Sequence, residues 1–199
     1  MLDLNTYKTR LLSYDEYSIT LDRLRMDHLY EEELFFVVAF HTGLKYRDLI
    51  KLEWKDVFNK DEFIWGNTLK KKQFTLSWKN TDAKARIFYL YDKLGVSDLN
   101  SLVFANKSGK LHSNAYINLM LGKVRDKYDL PIKKLYASTF RLMFACFMYD
   151  NAKLKTNAIA FLNSYVGGKT VDIATNGRHI PSEEIEDALK SMNIKYRND

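Results

Sequence analysis

The chain has 199 residues, of which 46% are apolar and 14% aromatic. This composition is typical of a chain that is folded over most of its length, and it suffices for one domain with a sizeable core. No apolar stretch approaches the roughly 20 residues that span a bilayer, the N-terminus does not resemble a signal peptide, and the single Cys146 excludes an intramolecular disulfide. We therefore expect a cytoplasmic protein. The 31 Lys and Arg residues outnumber the 25 Asp and Glu residues and give a net charge of +6, which makes nucleic acid the first partner to consider.

Three helices are predicted near the N-terminus. Ser13 and Glu16 have the spacing of a capping box, which predicts that a first helix begins near residue 14. Three consecutive glutamates precede the apolar run of residues 34–40, and this pattern predicts a second, largely buried helix that ends at Thr42 and Gly43. A third, short helix is predicted from about residue 46 to residue 52.

The segment from residue 57 to residue 90 has the composition of strands separated by turns. Aromatic and β-branched residues cluster at positions 63–65, 74–78 and 86–90, with Gly, Asn, Lys and Asp between them. We predict a small antiparallel sheet of three strands. The stretch from residue 70 to residue 86 is basic, because only Asp82 offsets its six cations, namely Lys70, Lys71, Lys72, Lys79, Lys84 and Arg86. Charge alone leaves two interpretations open, a nucleic-acid contact and a solvated lysine-rich loop.

Helical periodicity returns in the second half of the chain. Ser113 is a candidate N-cap for a helix with apolar positions between residues 117 and 128, and a further helix is predicted around residues 140–147. Two glycines at 167–168 predict a loop, and Pro181 followed by acidic residues predicts the start of a final helix. The histidines lack partners at metal-ligand spacing, and the sequence has no phosphate-cradling glycine-rich loop, so neither a metal nor a cofactor is predicted.

The order of these elements, with helices before and after a small basic sheet, resembles the catalytic domain of the tyrosine recombinases, also called phage integrases. The resemblance covers roughly residues 10–180. Its anchors, in chain order, are residues 13–16, the turn Thr42-Gly43-Leu44, residues 48–49, residues 52–56, residues 77–79 and the helix that carries Arg141. The resemblance implies a mainly α fold with a small three-stranded antiparallel sheet, as in the DNA breaking-rejoining enzymes. We accordingly expect an N-terminal extension at 1–12, a recombinase-like domain at 13–180 and a C-terminal helix or tail at 181–199.

In that family a tyrosine attacks a DNA phosphodiester without a metal or nucleotide cofactor, while cationic side chains bind the nonbridging oxygens. The position of the first family arginine, after Thr-Gly-Leu, holds Lys45, which keeps the charge but lacks the bidentate fork. Helical rotation turns Arg47 away, so we interpret it as a surface or DNA-backbone residue. Lys79 either matches the family's sheet lysine or is an ordinary hairpin lysine. The second family box keeps its arginine as Arg141, but Ser138 replaces its histidine and cannot exchange a proton near neutral pH.

The two remaining family positions lack their usual groups. The third box falls near Asn163 and Ser164, and neither is the His or Trp of the family. The best register places Ala174 at the position of the nucleophilic tyrosine, so no phenol is available there. Tyr196 lies much too late for a simple alignment, although a mobile terminal segment would let it reach the site. The resemblance therefore implies a degenerate catalytic site.

We interpret the chain as a catalytically inactive, recombinase-like protein that binds double-stranded DNA and serves a phage or other mobile element as a regulator, such as a repressor, or as an architectural factor. DNA-phosphate contacts are assigned to Lys45, Arg47, Lys70, Lys71, Lys72, Lys79, Lys84 and Arg141. Base readout is assigned to the helix near residues 46–51 or to the polar face of the helix at 113–128, which carries Asn114, Asn118, Lys123 and Arg125.

Two alternatives stay open. The first is an active site-specific recombinase or integrase whose displaced nucleophile is Tyr196, and the second is a protein-interaction module that partners a true recombinase. The segment that begins at Ser182 and ends at Met192 is a candidate docking element and a candidate homo-oligomer contact.

Overall fold

The computed structural model describes residues 11–67, 72–78, 81–106 and 108–175. These residues form, in chain order, α1 (Tyr14–Met26), α2 (Tyr30–Thr42), α3 (Tyr46–Leu49), α4 (Trp54–Val57), β1 (Glu62–Asn67), β2 (Lys72–Ser77), α5 (Ala83–Lys93), α6 (Asn114–Lys127), α7 (Ala137–Asn151), α8 (Lys155–Tyr165) and α9 (Gly168–Thr175). By its internal contacts the chain divides into two compact units, Met1–Phe144 and Ala145–Asp199. The domain bounds expected from the sequence stay a prediction.

The first helix begins where the capping box predicts. The Ser13 hydroxyl accepts a hydrogen bond from the Glu16 backbone N–H at 3.2 Å, and the Glu16 carboxylate accepts one from the Ser13 backbone N–H at 2.7 Å. These two bonds satisfy donors that the first turn of a helix leaves open. Tyr17, Leu21 and Leu24 form the buried face of α1. The prediction of a helix near residue 14 is confirmed.

Helix α2 forms the centre of the core in the first unit. All of its residues from position 33 to position 40 are buried, as expected of a helix that is apolar all round. Phe35 and Phe36 lie against Phe140 of α7, with ring centroids 5.8 and 4.7 Å apart, in the edge-to-face geometry that aromatic pairs favour. The helix ends at Thr42, which confirms the predicted end. Helix α3 spans four residues and is shorter than predicted.

The sheet in the described part of the chain has two strands. β1 and β2 pair antiparallel, with Glu62 opposite Ser77 and Phe63 opposite Leu76. Phe63 and Leu76 point to the buried side, and the Phe63 ring stacks on Trp78 at 5.6 Å with an interplanar angle of 5°. Within the described residues the sheet is thus a single pair of strands, and the predictions for these two strands are confirmed.

The predicted third strand at residues 86–90 is wrong, because these residues lie within α5. The misleading signal is the local run of an isoleucine and two aromatic residues, which is typical of strands. The structure instead buries Ala83, Ile87 and Leu90, which are four and three residues apart and form one helical face. The tertiary contacts of that face override the local strand preference.

Arg86 of α5 is enclosed by acidic side chains from three helices or their ends. Its guanidinium lies 2.7 Å from Asp22, 3.1 Å from Glu33 and 2.6 Å from Asp82. Glu33 also pairs with Arg25 at 2.6 Å. Burial by itself would lower the pKa of Arg86, but hydrogen bonds to these carboxylates raise it above its ordinary value. This cation is part of the fold and does not add to a basic surface.

The two long helices of the second half follow the predicted pattern. The Ser113 hydroxyl accepts from the Tyr116 backbone N–H at 3.1 Å and caps α6, which confirms the predicted N-cap. Ile117, Leu121 and Val124 form the buried face of α6. In α7 the predicted apolar positions before residue 145 are buried, and they include Phe140, Met143 and Phe144.

The second unit is described over residues 145–175. Lys155 at the start of α8 donates from its ammonium group to the carbonyls of Tyr149, Asp150 and Ala152 at 2.7, 2.9 and 3.1 Å, and so caps the end of α7. Gly167, with a φ of 90°, joins α8 to α9 in a turn that is tighter than the predicted loop. The predicted final helix and the segment 182–192 lie outside the described residues. In the described part of the chain, each helix is too short or too polar to cross a membrane.

Candidate functional site

The turn after α2 places the first candidate site residue. Gly43 ends the helix in the left-handed conformation, with a φ of 57°, and its N–H donates to the Ala39 carbonyl at 3.1 Å. A Cβ atom at this position would lie 2.6 Å from Cγ of the Phe144 ring. Only glycine therefore allows both the backbone conformation and the close approach of α7. The chain then turns into α3, whose N-cap is Lys45.

Arg141 connects this turn to α7. Its Nη1 donates to the Gly43 carbonyl at 2.6 Å across 98 positions of sequence, and only 9% of the residue is exposed. The bond fixes one edge of the guanidinium and satisfies a carbonyl at the end of α2. Arg141 is thus held by the same turn that positions Lys45.

Lys45, Ser138 and Arg141 line one cleft of about 330 Å³ in the first unit. The remaining lining residues are Leu44, Tyr46, Asn114, Asn118, Tyr136 and Ala137. Lys45 and Ser138 are exposed to solvent, whereas Arg141 forms a buried part of the wall. The sequence prediction for these three residues rested on short motifs that are far apart in the chain, and the structure brings them together.

The lining of this cleft suits an anion. Lys45 and Arg141 provide positive charge, and Ser138 and the two asparagines provide neutral hydrogen-bonding groups. Ala137 and Ser138 lie in the first turn of α7, where the backbone N–H groups and the helix dipole also favour negative charge. Among the described lining residues there is neither a carboxylate nor an imidazole. The cationic and hydrogen-bonding groups of the cleft are complementary to a phosphate, but its described side chains include no group that exchanges a proton near neutral pH.

A larger cavity of about 530 Å³ in the same unit has a different character. Its wall is built from apolar side chains such as Phe35 and Trp54, and its polar groups include Glu31 and Asp98. Carboxylates repel a polyanion, so this cavity is a poor candidate for a nucleic-acid contact. The smaller cationic cleft is therefore the candidate functional site.

The other predicted DNA contacts are placed as follows. Arg47 is a surface residue with 74% of its side chain exposed, lies 3.8 Å from Asp48 and does not line the cleft. Lys84 pairs with Asp61 at 2.6 Å. Lys70, Lys71 and Lys79 and the side chain of Lys72 lie outside the described residues. The predicted basic stretch at 70–86 thus contains at least two cations, Lys84 and Arg86, that carboxylates already neutralise.

Two candidate positions of the degenerate site lie in the second unit. Ser164 is half-buried in α8, and Ala174 is buried in α9 with 1% exposed. The neighbouring Thr175 hydroxyl donates to the Val171 carbonyl at 2.9 Å within its own helix. A methyl group therefore occupies the position that the resemblance assigns to the nucleophile. Tyr196 lies outside the described residues.

Sequence reasoning missed two tyrosines that line the cleft. The Tyr46 hydroxyl donates to the His112 carbonyl at 2.6 Å, and burial raises its pKa. Tyr136 is 40% exposed, and its backbone N–H donates to the Thr139 hydroxyl at the start of α7. Tyr46 directly follows Lys45, and Tyr136 lies five residues before Arg141, but neither spacing by itself indicates a site. Within the described ranges no cluster of three His, Cys, Asp or Glu residues could hold a metal ion.

Comparison with known proteins finds similarity at the level of structure. No family model and no curated protein matches the sequence. The chain is similar to XerH, a site-specific recombinase solved in a post-cleavage complex with a palindromic difH substrate, with a TM-score of 0.62, 17% identity, and coverage of 91% of this chain and 52% of that one. It is also similar to XerA recombinase, with a TM-score of 0.63, 17% identity, and coverage of 92% of this chain and 62% of XerA. A third similar structure is the Tn1549 transposon integrase in complex with circular intermediate DNA, with a TM-score of 0.56, 12% identity, and coverage of 91% of this chain and 64% of the integrase chain.

These similarities define the fold. The chain has a tyrosine-recombinase-like fold, mainly helical with a small antiparallel sheet, and it spans about half to two thirds of the length of the structures it matches. Because the sequence identities lie between 12% and 17%, the similarity shows the fold of the chain and does not show its activity.

Proposed function

We propose that the chain is a recombinase-like DNA-binding protein that holds a DNA phosphate in the cleft of Lys45, Ser138 and Arg141. The observation that carries the proposal is the convergence of these three residues, which a turn and a helix almost 100 positions apart bring to one cleft. Two cations, a hydroxyl and a helix N-terminus are groups that proteins use to bind phosphate oxygens. The recombinases with the same fold that were solved with DNA support this assignment.

We further propose that this protein binds without cutting and acts as a regulator or architectural factor of a mobile element. Ser138 stands where the resemblance expects an imidazole, and the Ala174 methyl group stands where it expects a phenol. Strand cleavage by that mechanism needs both a nucleophile and proton transfer. Phosphate binding needs neither, so the cleft retains its use as a DNA contact.

Salt dependence of DNA binding tests the phosphate contact. We expect Lys45→Ala and Arg141→Ala each to weaken binding of duplexes irrespective of sequence and to reduce the slope of log affinity against log salt by about one. The measurement is a binding isotherm of a labelled duplex at several salt concentrations. Because Lys45 is exposed at an N-cap, its variant should keep the fold, whereas Arg141→Ala also removes the bond to Gly43.

Lys93→Ala is the matched control for this measurement. It removes the same charge at the end of α5, where Lys93 is exposed beside the Tyr89 ring and does not line the cleft. We expect its salt slope to equal that of the wild-type protein. If Lys45→Ala has the same salt slope as the wild type, the cleft is not part of the DNA interface. If Lys45→Ala and Lys93→Ala lose the same DNA affinity, the effect comes from the net charge of the protein and not from the cleft.

A second experiment tests the absence of cleavage. We expect the wild-type protein, incubated with nicked duplexes that trap covalent intermediates, to leave no protein–DNA adduct after denaturation, because the described candidate positions offer no activated nucleophile. The Tyr196→Phe variant should behave identically. An adduct that forms with the wild type and disappears in Tyr196→Phe would show instead that a displaced tyrosine restores strand cleavage.

A further inference from the structure

Asn118 has an unsatisfied group in the wall of the candidate cleft. Its carboxamide oxygen is shielded from solvent and accepts no hydrogen bond, while its nitrogen donates to the Asn114 carboxamide at 3.4 Å, which is long for such a bond. Buried polar atoms are nearly always paired, so this acceptor in a cleft takes its donor from outside the protein, either from water or from a bound ligand that displaces the water. The two asparagines are four residues apart on α6 and both line the cleft.

The chemistry of DNA limits which part of a bound duplex can supply that donor. Phosphate oxygens are acceptors, and an internal deoxyribose carries no hydroxyl, so Lys45, Ser138 and Arg141 can bind the backbone but the backbone cannot satisfy Asn118. The donors of a duplex are on the bases. In the major groove only adenine places an amino donor, N6, beside an acceptor, N7, and an asparagine carboxamide pairs with both atoms.

The side chain of Asn118 is free to make this pairing. Its terminal torsion has a broad, two-fold preference, so rotation can turn the carboxamide oxygen and nitrogen toward a ligand. The bond that holds the present orientation is the long one to Asn114, and N7 of a base can replace its acceptor. Asn118 also lies one helical turn from Asn114, so the two carboxamides are neighbours on the part of α6 that lines the cleft.

We propose that Asn118 is a specificity-determining residue that reads one adenine adjacent to the phosphate bound by Lys45, Ser138 and Arg141. The proposal rests on the DNA-binding function proposed above and adds to it a base class and a residue. It predicts two separable effects: cations of the cleft set the affinity for any duplex, whereas Asn118 sets the preference at one position.

Selection of bound duplexes from a randomised library, followed by sequencing, tests this proposal. We expect the wild-type protein to enrich a motif with adenine at one position by about tenfold or more over the other bases. Asn118→Ala should lose that preference and keep the rest of the motif. Asn118→Asp should change the preference at that position to cytosine, because a carboxylate accepts from N4 of cytosine.

Asn100→Asp is the matched control for the added charge. Asn100 is an exposed residue whose side chain accepts from Lys55 at 3.3 Å, and it does not line the cleft, so this variant should retain the wild-type motif. A motif that is identical in the wild type and in Asn118→Ala would overturn the proposal. Binding of the library without any base preference would overturn it as well and leave the DNA-binding function standing, whereas a wild-type protein that binds no duplex at low salt would overturn both.

Discussion

Replacement of Glu33 by alanine is expected to lower the free energy of unfolding by about 3–5 kcal/mol, because it leaves two buried or half-buried arginines without their shared counter-ion. The Glu33 carboxylate has no solvent exposure and lies 2.6 Å from Arg25 and 3.1 Å from Arg86. Its loss would also leave the like charges of Arg25 and Arg86 near each other without the carboxylate that lies between them. Chemical denaturation, with the midpoint and the slope fitted together, measures the effect.

Glu31→Ala is the control for this prediction. It removes the same charge from the same first turn of α2, but Glu31 is exposed, so we expect a loss within about 1 kcal/mol from the weaker helix-dipole interaction. Equal losses in the two variants would contradict the structural role of the ion pairs. The comparison of the two variants also tests whether the ion pairs of Arg86 stabilise the fold, in which case Arg86 is not available for a DNA contact.

Replacement of Gly43 by alanine is expected to cost about 3 kcal/mol, since two separate penalties act at this position. The left-handed backbone, with a φ of 57°, is unfavourable for any residue with a Cβ atom, and the added methyl group would overlap the ring of Phe144. The Gly43 carbonyl is also the acceptor for Arg141. We therefore expect the variant to lose DNA affinity together with stability, and both denaturation and duplex binding measure the outcome.

Alanine variants of two other glycines distinguish the cost of backbone strain from the cost of the overlap with Phe144. Gly95 has a φ of 64° and open space around it, so Gly95→Ala should cost only the backbone strain, about 1 kcal/mol. Gly122 lies inside α6, also with open space, and Gly122→Ala should stabilise the protein by about 0.5–1 kcal/mol. A Gly43→Ala variant no less stable than Gly95→Ala would show that α7 does not pack closely on the turn.

Together these residues explain how the fold builds the cleft. Gly43 permits α7 to approach the turn, the carbonyl of Gly43 fixes Arg141, and the chain that leaves the turn presents Lys45. The cleft is therefore a consequence of one close helix contact. The proposed phosphate binding of the cleft and the proposed base preference of Asn118 both depend on this contact being kept.

Local sequence determined the ends of several helices and the motif residues of this protein. The capping box at Ser13 and Glu16, the N-cap at Ser113 and the end of α2 at Gly43 depend on hydrogen bonds within a few residues, and local patterns predicted all three. Lys45, Ser138 and Arg141 were likewise recognisable from short motifs. Such features are readable because the interactions that create them are close in sequence.

Only the tertiary structure decided that residues 86–90 are helical and which charged side chains pair with one another. Strand-like residues became helical because Ala83, Ile87 and Leu90 bury one face, and the charges of Lys84 and Arg86 were neutralised by Asp61, Asp22 and Glu33 from distant segments. The bond from Arg141 to Gly43 and the unpaired oxygen of Asn118 arise in the same way. Burial and charge pairing depend on which segments come into contact in the fold, and the pattern of residues within one segment does not indicate those contact partners.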